Sequence, residues 1–481
     1  MSAVLEAIAR RARETPDAPA LTDGRATFGW AALDRQIADA ATWLAEQLQG
    51  RSATAPVALA LDNGPAWMVL DLALARLGRP CLPLPPFFTA DQRRHALADA
   101  GAALLVSAAA EGRSVAGQAI TALPLDLPAR ALQPGTAKIT YTSGSTGAPK
   151  GVCLSQAQLE AVAGSLVEVI GVEYAGRHLA VLPLGVLLEN VAGLYPTLLA
   201  GGCYDARPLG ELGFGQDGPP DLARLVQAVE SSAATSLILV PELLRGLMAA
   251  LVQTGRRLPS LKLVAVGGAK VAPQLIAQAR ALGLPAYEGY GLSECGSVVA
   301  LNTPGADRPA SVGRVLPHLQ VSLAADGEIV VGPAPFLGYV GGPPHKGAYA
   351  TGDLGELDAD GWLRITGRKS NLLITAYGRN VAPEWVESEL LAEPEIAQAA
   401  VFGEAAAHLC ALLVPSRPHL GPDAIDQVVA RVNARLPDYA RVARWRGSPP
   451  FDPARGEVTA NGRPRRQVLQ AAHRDFIEQQ I

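Results

Sequence analysis

From Pro56 onward, short apolar runs (PVALAL, PCLPLP, ALLVS) alternate with stretches such as AWMVLDLALARLG, whose apolar positions recur at helical spacing. Short apolar runs bounded by turn residues suit buried strands, and longer periodic segments suit amphipathic helices. The alternation therefore predicts the βα rhythm of a layered α/β domain. It returns at SLILV, LKLVAVGG and LPAYEGYG. The opening MSAVLEAIARRARETPDAPA spreads charges among its apolar positions at helical spacing, unlike the unbroken apolar core of a signal peptide. The most apolar later stretch, SLILVPELLRGLMAALV, carries Pro241, Glu242 and Arg245 near its middle. Charge at that position argues against a membrane span and predicts a buried strand followed by a helix.

Pro and Gly cluster at 122–135 and again at 207–220, which reads as two surface connections inside one large domain. From about Gly313 the text turns to short strands with frequent turns, and near residue 370 a new pattern of strands and amphipathic helices begins. A boundary at Arg368 divides the chain into a large unit, 1–367, and a small one, 368–481, with a cleft expected between them. The length of 481 residues, beyond what one core usually supports, agrees with two units. Charge narrows the partners: 41 basic against 45 acidic residues give a formal net charge of -4, no electrostatic case for nucleic acid or an anionic membrane. A small-molecule partner fits better. Cys81, Cys153, Cys203, Cys295 and Cys410 are scattered and never form a C-x-x-C pair, so neither a disulfide framework nor a zinc site is indicated. A reducing cytoplasm is the expected compartment.

The stretch YTSGSTGAPKG, residues 141–151, concentrates candidate chemistry. Glycines tolerate positive φ, so backbone N–H groups can converge on phosphate oxygens; Ser143, Ser145 and Thr146 add hydroxyl donors and Lys150 a mobile charge. The spacing Gly144-x-x-Gly147-x-x-Lys150 is not that of a Walker loop. AKITYT before it predicts a strand. Ser155 and Gln158 after it have the spacing of a capping box opening the helix SQAQLEAVAGSLVEVI, so strand, loop and helix would form an anion-holding geometry.

TSGSTGAPKG resembles the signature loop of the adenylate-forming (ANL) superfamily, which holds acyl-CoA synthetases, adenylation domains of peptide synthetases and firefly luciferase. The opening TPDAPALTDGRATFGWAALDRQIADAATWLAEQL and LDNGPAWMVLDLALARLGRPCLPLP resemble that family's N-terminal blocks in order and spacing, so the likeness spans nearly the whole chain. It implies a large layered N-terminal α/β domain and a small mobile α+β C-terminal domain, closing in two orientations about a hinge at 368–371.

What the resemblance implies about the site follows residue by residue. Thr142, Ser143, Gly144, Ser145, Thr146, Gly147 and Lys150 would hold the ATP phosphates. In EGYGLSE, Tyr290 would stack on adenine and Glu294 would hold Mg²⁺, a hard cation that takes carboxylate and phosphate oxygens. Glu288, Gly289, Gly291 and Ser293 complete that block, and Gly268 and Ala269 of GGAK would lie against the adenine. TGD places Asp353 on the ribose hydroxyls with Arg368 nearby. Leu184, Gly185, Val186, Gly267 and Gly268 would wall the acyl pocket, while Gly378, Arg379 and Asn380 would meet the thiol arm of CoA.

Two departures stand out. Where the family has a lysine bridging the carboxylate and the α-phosphate, VTANGRPRRQVL supplies Arg463, and no lysine follows Lys369. A planar guanidinium keeps the charge of an ammonium but not its shape. In LPLGVLLENVAG, Gly185 and Val186 replace the usual aromatic residue or His, leaving room for a hydrocarbon. LLITAYGRNVAPEWVESEL resembles the long-chain fatty acyl-CoA branch. The expectation is ATP- and Mg²⁺-dependent adenylation of a fatty or other apolar acid, with Arg463, Thr146, Lys150 and Glu294 as the catalytic set and CoA as acceptor. A carrier protein or an amine as acceptor, and a nucleotide-binding protein with impaired catalysis, are the rival readings.

Overall fold

The computed structural model describes residues 2–142, 149–174, 176–215, 220–459 and 463–479. The βα rhythm is realised as expected. Strands Val57–Ala60, Cys81–Pro83 and Leu104–Val115 run parallel, connected through helices Pro65–Leu77 and Ala90–Ala100. Pro65 suits the first helical turn, where its missing N–H has no partner to lose, and Gly78 closes the helix at φ 63. Thr136–Thr142 joins this seven-stranded sheet beside Cys81–Pro83.

A second, nine-stranded sheet has a parallel centre in which Arg177–Leu179, Ser236–Leu239, Leu263–Val266 and Ala286–Tyr290 lie side by side. Val57 and Leu59 of the first sheet, Tyr204 of the second and Ala180 beside it share one core with Trp30, Trp67 and Leu159. These come from the helices Trp30–Gln47, Pro65–Leu77 and Gln156–Ile170, so helices are sandwiched between sheets. On the far face of the nine-stranded sheet, Leu225, Leu244, Val264 and Leu275 form a second core. SLILVPELLRGLMAALV is the strand Ser236–Leu239 followed by the helix Pro241–Thr254, as its pattern predicts. Among the described residues no helix is long and apolar enough to cross a membrane.

After a four-stranded antiparallel sheet ending at Leu363–Arg368, a 3-10 turn occupies Lys369–Asn371. Beyond it lie the hairpin Leu373–Ile374 with Asn380–Val381, the helices Pro383–Leu391 and Pro422–Asn433, and the three-stranded sheet of Ile396–Phe402, Leu409–Pro415 and Val442–Gly447. This segment has its own core, built on Val386, Val401, Leu413 and Val428. Polar contacts join it to the larger unit. Arg245 donates to the carbonyls of Leu391 (2.9 Å) and Ile396 (3.3 Å), and Lys369 pairs with Asp326 and Glu328. All five cysteines are free and buried.

Candidate active site

A cleft of ≈ 2490 Å³ runs between the two units. At one end the strand Thr136–Thr142 turns back into the antiparallel strand Lys150–Ser155, with Thr142 opposite Lys150. This corrects the strand–loop–helix expectation. The strand Lys150–Ser155, paired antiparallel with Thr136–Thr142, separates the loop from the helix Gln156–Ile170, whose N-terminal amide at Gln158 is taken by Ser155 in the expected capping box. Ser143, Gly144, Ser145, Thr146 and Gly147, and the side chain of Thr142, lie outside the described residues. Lys150 is described. Its ammonium stands 5.6 Å from the ring centre of Tyr339.

Tyr339 joins Lys150 to Glu294. Its hydroxyl donates to Glu294 Oε1 at 2.9 Å and lies 3.3 Å from the Tyr349 hydroxyl. Burial, and then the Tyr349 hydroxyl and Glu294, push the Tyr339 phenol well above its ordinary range, so it remains a neutral donor. Among the described residues no group of three or more His, Cys, Asp or Glu could enclose a metal ion. A single carboxylate suits Mg²⁺, which keeps waters and shares substrate phosphates rather than occupying an all-protein cage. Glu294 lines the cleft near Lys150 and offers one such carboxylate.

The second cluster is centred on Asp353. Tyr290 ends the strand Ala286–Tyr290 and donates through its hydroxyl to Asp353 Oδ2 at 2.7 Å; Arg368 Nη1 donates to Oδ1 at 3.2 Å. Asp353 and Arg368 are register partners on adjacent antiparallel strands, which fixes their separation through the backbone. Burial raises the Asp353 carboxyl above its ordinary value, against the pull of Arg368, Tyr290 and Arg463. Burial, followed by Asp353, also pushes the Tyr290 phenol upward.

Arg463 approaches from the C-terminal segment. Its guanidinium donates to the carbonyl of Gly268, while its backbone N–H donates to Thr459 Oγ1 at 3.1 Å. Desolvation among the cleft walls, and then the like charge of Arg368, lower its affinity for the proton, while Asp353, Glu242 and Glu384 oppose both. A guanidinium stays protonated regardless, so the cleft carries a fixed cation here. Gly268 itself has φ +83, a conformation that favours glycine.

Gly267, Gly268 and Ala269 line the cleft, and so do Glu288, Gly289, Gly291 and Ser293. A side chain at Gly291 would run into the Ser297 carbonyl, so the close approach of these two backbones demands glycine. Lys270, absent from the expected set, donates to the Ile365 carbonyl at 2.7 Å and faces Glu288. The scarcity of lysine in the chain was the signal for it. Burial pushes the Glu288 carboxyl up to about 7, against the opposing pull of Lys270.

Of the residues expected to wall an acyl pocket, not all face the cleft. Val186 lines the cleft, as does Gly185, but Leu184 does not: it is packed in the main core. Nor does Gly185 leave open space, since a Cβ there would come within 3.0 Å of the Pro85 backbone. Small size at that position serves packing. Gly378 and Arg379 on the turn of the hairpin, and Asn380 at the start of its second strand, are exposed and do not line the cleft that Arg463 enters. Arg379 lies over the Tyr439 ring instead, 5.9 Å from its centre.

A family model described as AMP-binding enzyme matches residues 8–339, and one described as AMP-binding enzyme C-terminal domain matches 370–480. The chain is 30% identical over 425 residues to the Long-chain-fatty-acid–CoA ligase FadD15 of Mycobacterium bovis, covering 72% of this chain and 70% of that protein. It is 29% identical over 426 residues to a Feruloyl-CoA synthase of an Amycolatopsis species, covering 82% and 84%. Its fold matches the crystal structure of the anthranilate CoA ligase AuaEII in complex with anthranoyl-AMP, with a TM-score of 0.81 at 18% identity, over 98% of this chain and 97% of that one.

Proposed function

The chain belongs to the AMP-binding enzyme family, and on that premise we propose that it joins a carboxylic acid to the adenylyl group of ATP and passes the acyl group to the thiol of CoA. In the first step a carboxylate oxygen attacks the α-phosphorus, the bond to the bridging oxygen of the β-phosphate breaks, and pyrophosphate leaves. In the second the sulfur attacks the acyl carbon, the bond to AMP breaks, and the thiol proton is released. Relatives named for fatty and feruloyl acids support an acid with an apolar body.

The observation that carries this reading is the convergence of Arg463, Tyr290, Asp353 and Gly268 in one cleft from both units. Tyr290 and Asp353 hold adenosine, the tyrosine offering its ring and the carboxylate accepting ribose hydroxyls. Arg463, beside Gly268, faces the forming acyl phosphate and offsets its charge; fixed charges in a partly dry cleft are preorganised for this work. Lys150 and the hydroxyls of the 142–147 loop, Thr146 among them, hold the departing phosphates. Glu294 would hold Mg²⁺, which would supply further neutralisation of phosphate charge.

Arg463 reaches the cleft while Gly378, Arg379 and Asn380 stand outside it. We read this arrangement as the one suited to adenylation, with rotation about 368–371 bringing the hairpin in for thiol transfer. Hydroxylamine trapping across fatty, aromatic and amino acids, with and without CoA, tests the reading. Hydroxamate from apolar acids and thioester on adding CoA are expected; a signal confined to amino acids contradicts it.

A further inference from the structure

The inner wall of the cleft follows one face of the nine-stranded sheet. Ser236, Ile238 and Val240 line it, and so do Ala265 of the neighbouring strand and Gly267 just beyond its end, whereas Leu239 and Val264 pack on the opposite face. The facing wall is apolar, from Leu166 and Ile170 to Pro196. Set into these apolar surroundings is a chain of hydrogen bonds. Ser236 Oγ lies 2.9 Å from His178 Nδ1, and His178 Nε2 lies 3.0 Å from Glu189 Oε1. Glu189 is fully buried and also accepts from the Tyr204 hydroxyl (2.7 Å) and the Leu182 N–H (3.0 Å).

A serine hydroxyl has one donor and two acceptor lone pairs, so Ser236 Oγ can bond His178 Nδ1 and still has hydrogen-bonding capacity left. Ser236 is among the residues that line the cleft. Gly193 belongs to the same feature: a Cβ there would stand 2.7 Å from Glu189 Oε1 and 3.0 Å from His178 Nε2. It lies in the π-helical segment Asn190–Leu194, a distortion frequent at functional sites.

We propose that Ser236, held by His178 and Glu189, exchanges a hydrogen bond with a hydroxyl at the far end of the bound acid, so that the preferred substrate is a hydroxylated acid with an apolar body. This deepens the ligase reading and rests on it. Depth follows from the strand. The Gly267 N–H bonds the Leu239 carbonyl, three residues beyond Ser236, which at ~3.3 Å per residue puts the hydroxyl about 10 Å down the wall. A hydroxyl carried to that depth needs a hydrogen-bond partner and finds one in Ser236, so the subsite favours an acid that bears it over one that does not.

The test compares para-hydroxycinnamic with cinnamic acid, and omega-hydroxyoctanoic with octanoic acid, by pyrophosphate release. The hydroxylated member of at least one pair is expected to have a kcat/KM about tenfold or more above its partner in the wild type. Ser236→Ala is expected to bring it down to its partner's level. Equal kcat/KM within both wild-type pairs overturns the proposal, independently of how any variant folds. So does a loss of the same factor for both members of each pair in Ser236→Ala, which is what a purely structural tie between the two strands would give. Should none of the four acids release pyrophosphate, the ligase reading fails for them, and calorimetric binding of the same pairs decides the subsite: tighter binding of the hydroxylated member supports it, and equal or absent binding overturns it.

Discussion

Arg463 donates a hydrogen bond to the main-chain oxygen of Gly268, 195 residues away in sequence, and so carries a charge from the C-terminal segment to the wall of the cleft. The cation that enters the cleft there is a guanidinium whose planar donors are fixed in direction, whereas an ammonium donates from a compact point.

Arg463→Ala is expected to slow single-turnover acyl-adenylate formation by about 100-fold, the usual loss when a preorganised charge donor is removed. Arg463→Lys should recover part of the rate. Rapid-quench measurement of acyl-AMP checks both.

Arg379 gives the complementary result. It stands outside the cleft in the arrangement that brings Arg463 in. Arg379→Ala is expected to leave acyl-adenylate formation within about twofold of wild type and to lower thioester formation by about tenfold, an effect of order 1.4 kcal/mol. Assaying the two half-reactions separately measures the split.

Glu288 gives stability a pH dependence. Burial pushes its carboxyl from 4.5 up to about 7, so between those values the folded chain holds a proton that the unfolded chain releases. The stabilisation is fully present below 4.5 and is lost as pH rises through 7. Thermal unfolding of wild type should therefore fall off more steeply from about pH 4.5 to about pH 7 than that of Glu288→Gln, by up to about 1.4 kcal/mol per pH unit within the window.

Lys138 concerns the fold alone. Its ammonium is buried against Asp71 Oδ1 (2.9 Å), with Asn190 Oδ1 at 3.0 Å and the Tyr195 hydroxyl at 3.2 Å. Lys138→Met leaves Asp71 charged and buried, and is expected to cost about 3–5 kcal/mol in urea unfolding. Adding Asp71→Leu should recover most of that loss, because the stranded charge is then gone.

What the sequence made legible was local. The capping box of Ser155 and Gln158 forms in both directions because its residues are three apart and carry the required donors and acceptors. The strand and helix in SLILVPELLRGLMAALV follow from the run length and from Pro241 at the helix start. Pairings across the chain were not legible. KGVCLS reads as the end of a loop until Thr136–Thr142 is there to pair with it. Gly185 looks like open space until Pro85 is found against it, and Leu184 looks like pocket wall until the core claims it. Tyr339, the link between Glu294 and Lys150, lies 45 residues from the glutamate and carries no motif.

Nucleotide products tested against an apolar acid address the central claim most directly. Incubation with ATP, magnesium and acid, analysed by chromatography, is predicted to yield AMP and pyrophosphate in equal amounts, dependent on the acid, with hydroxylamine capturing the acyl group. ADP and inorganic phosphate, or nucleotide turnover indifferent to any acid, would contradict the account.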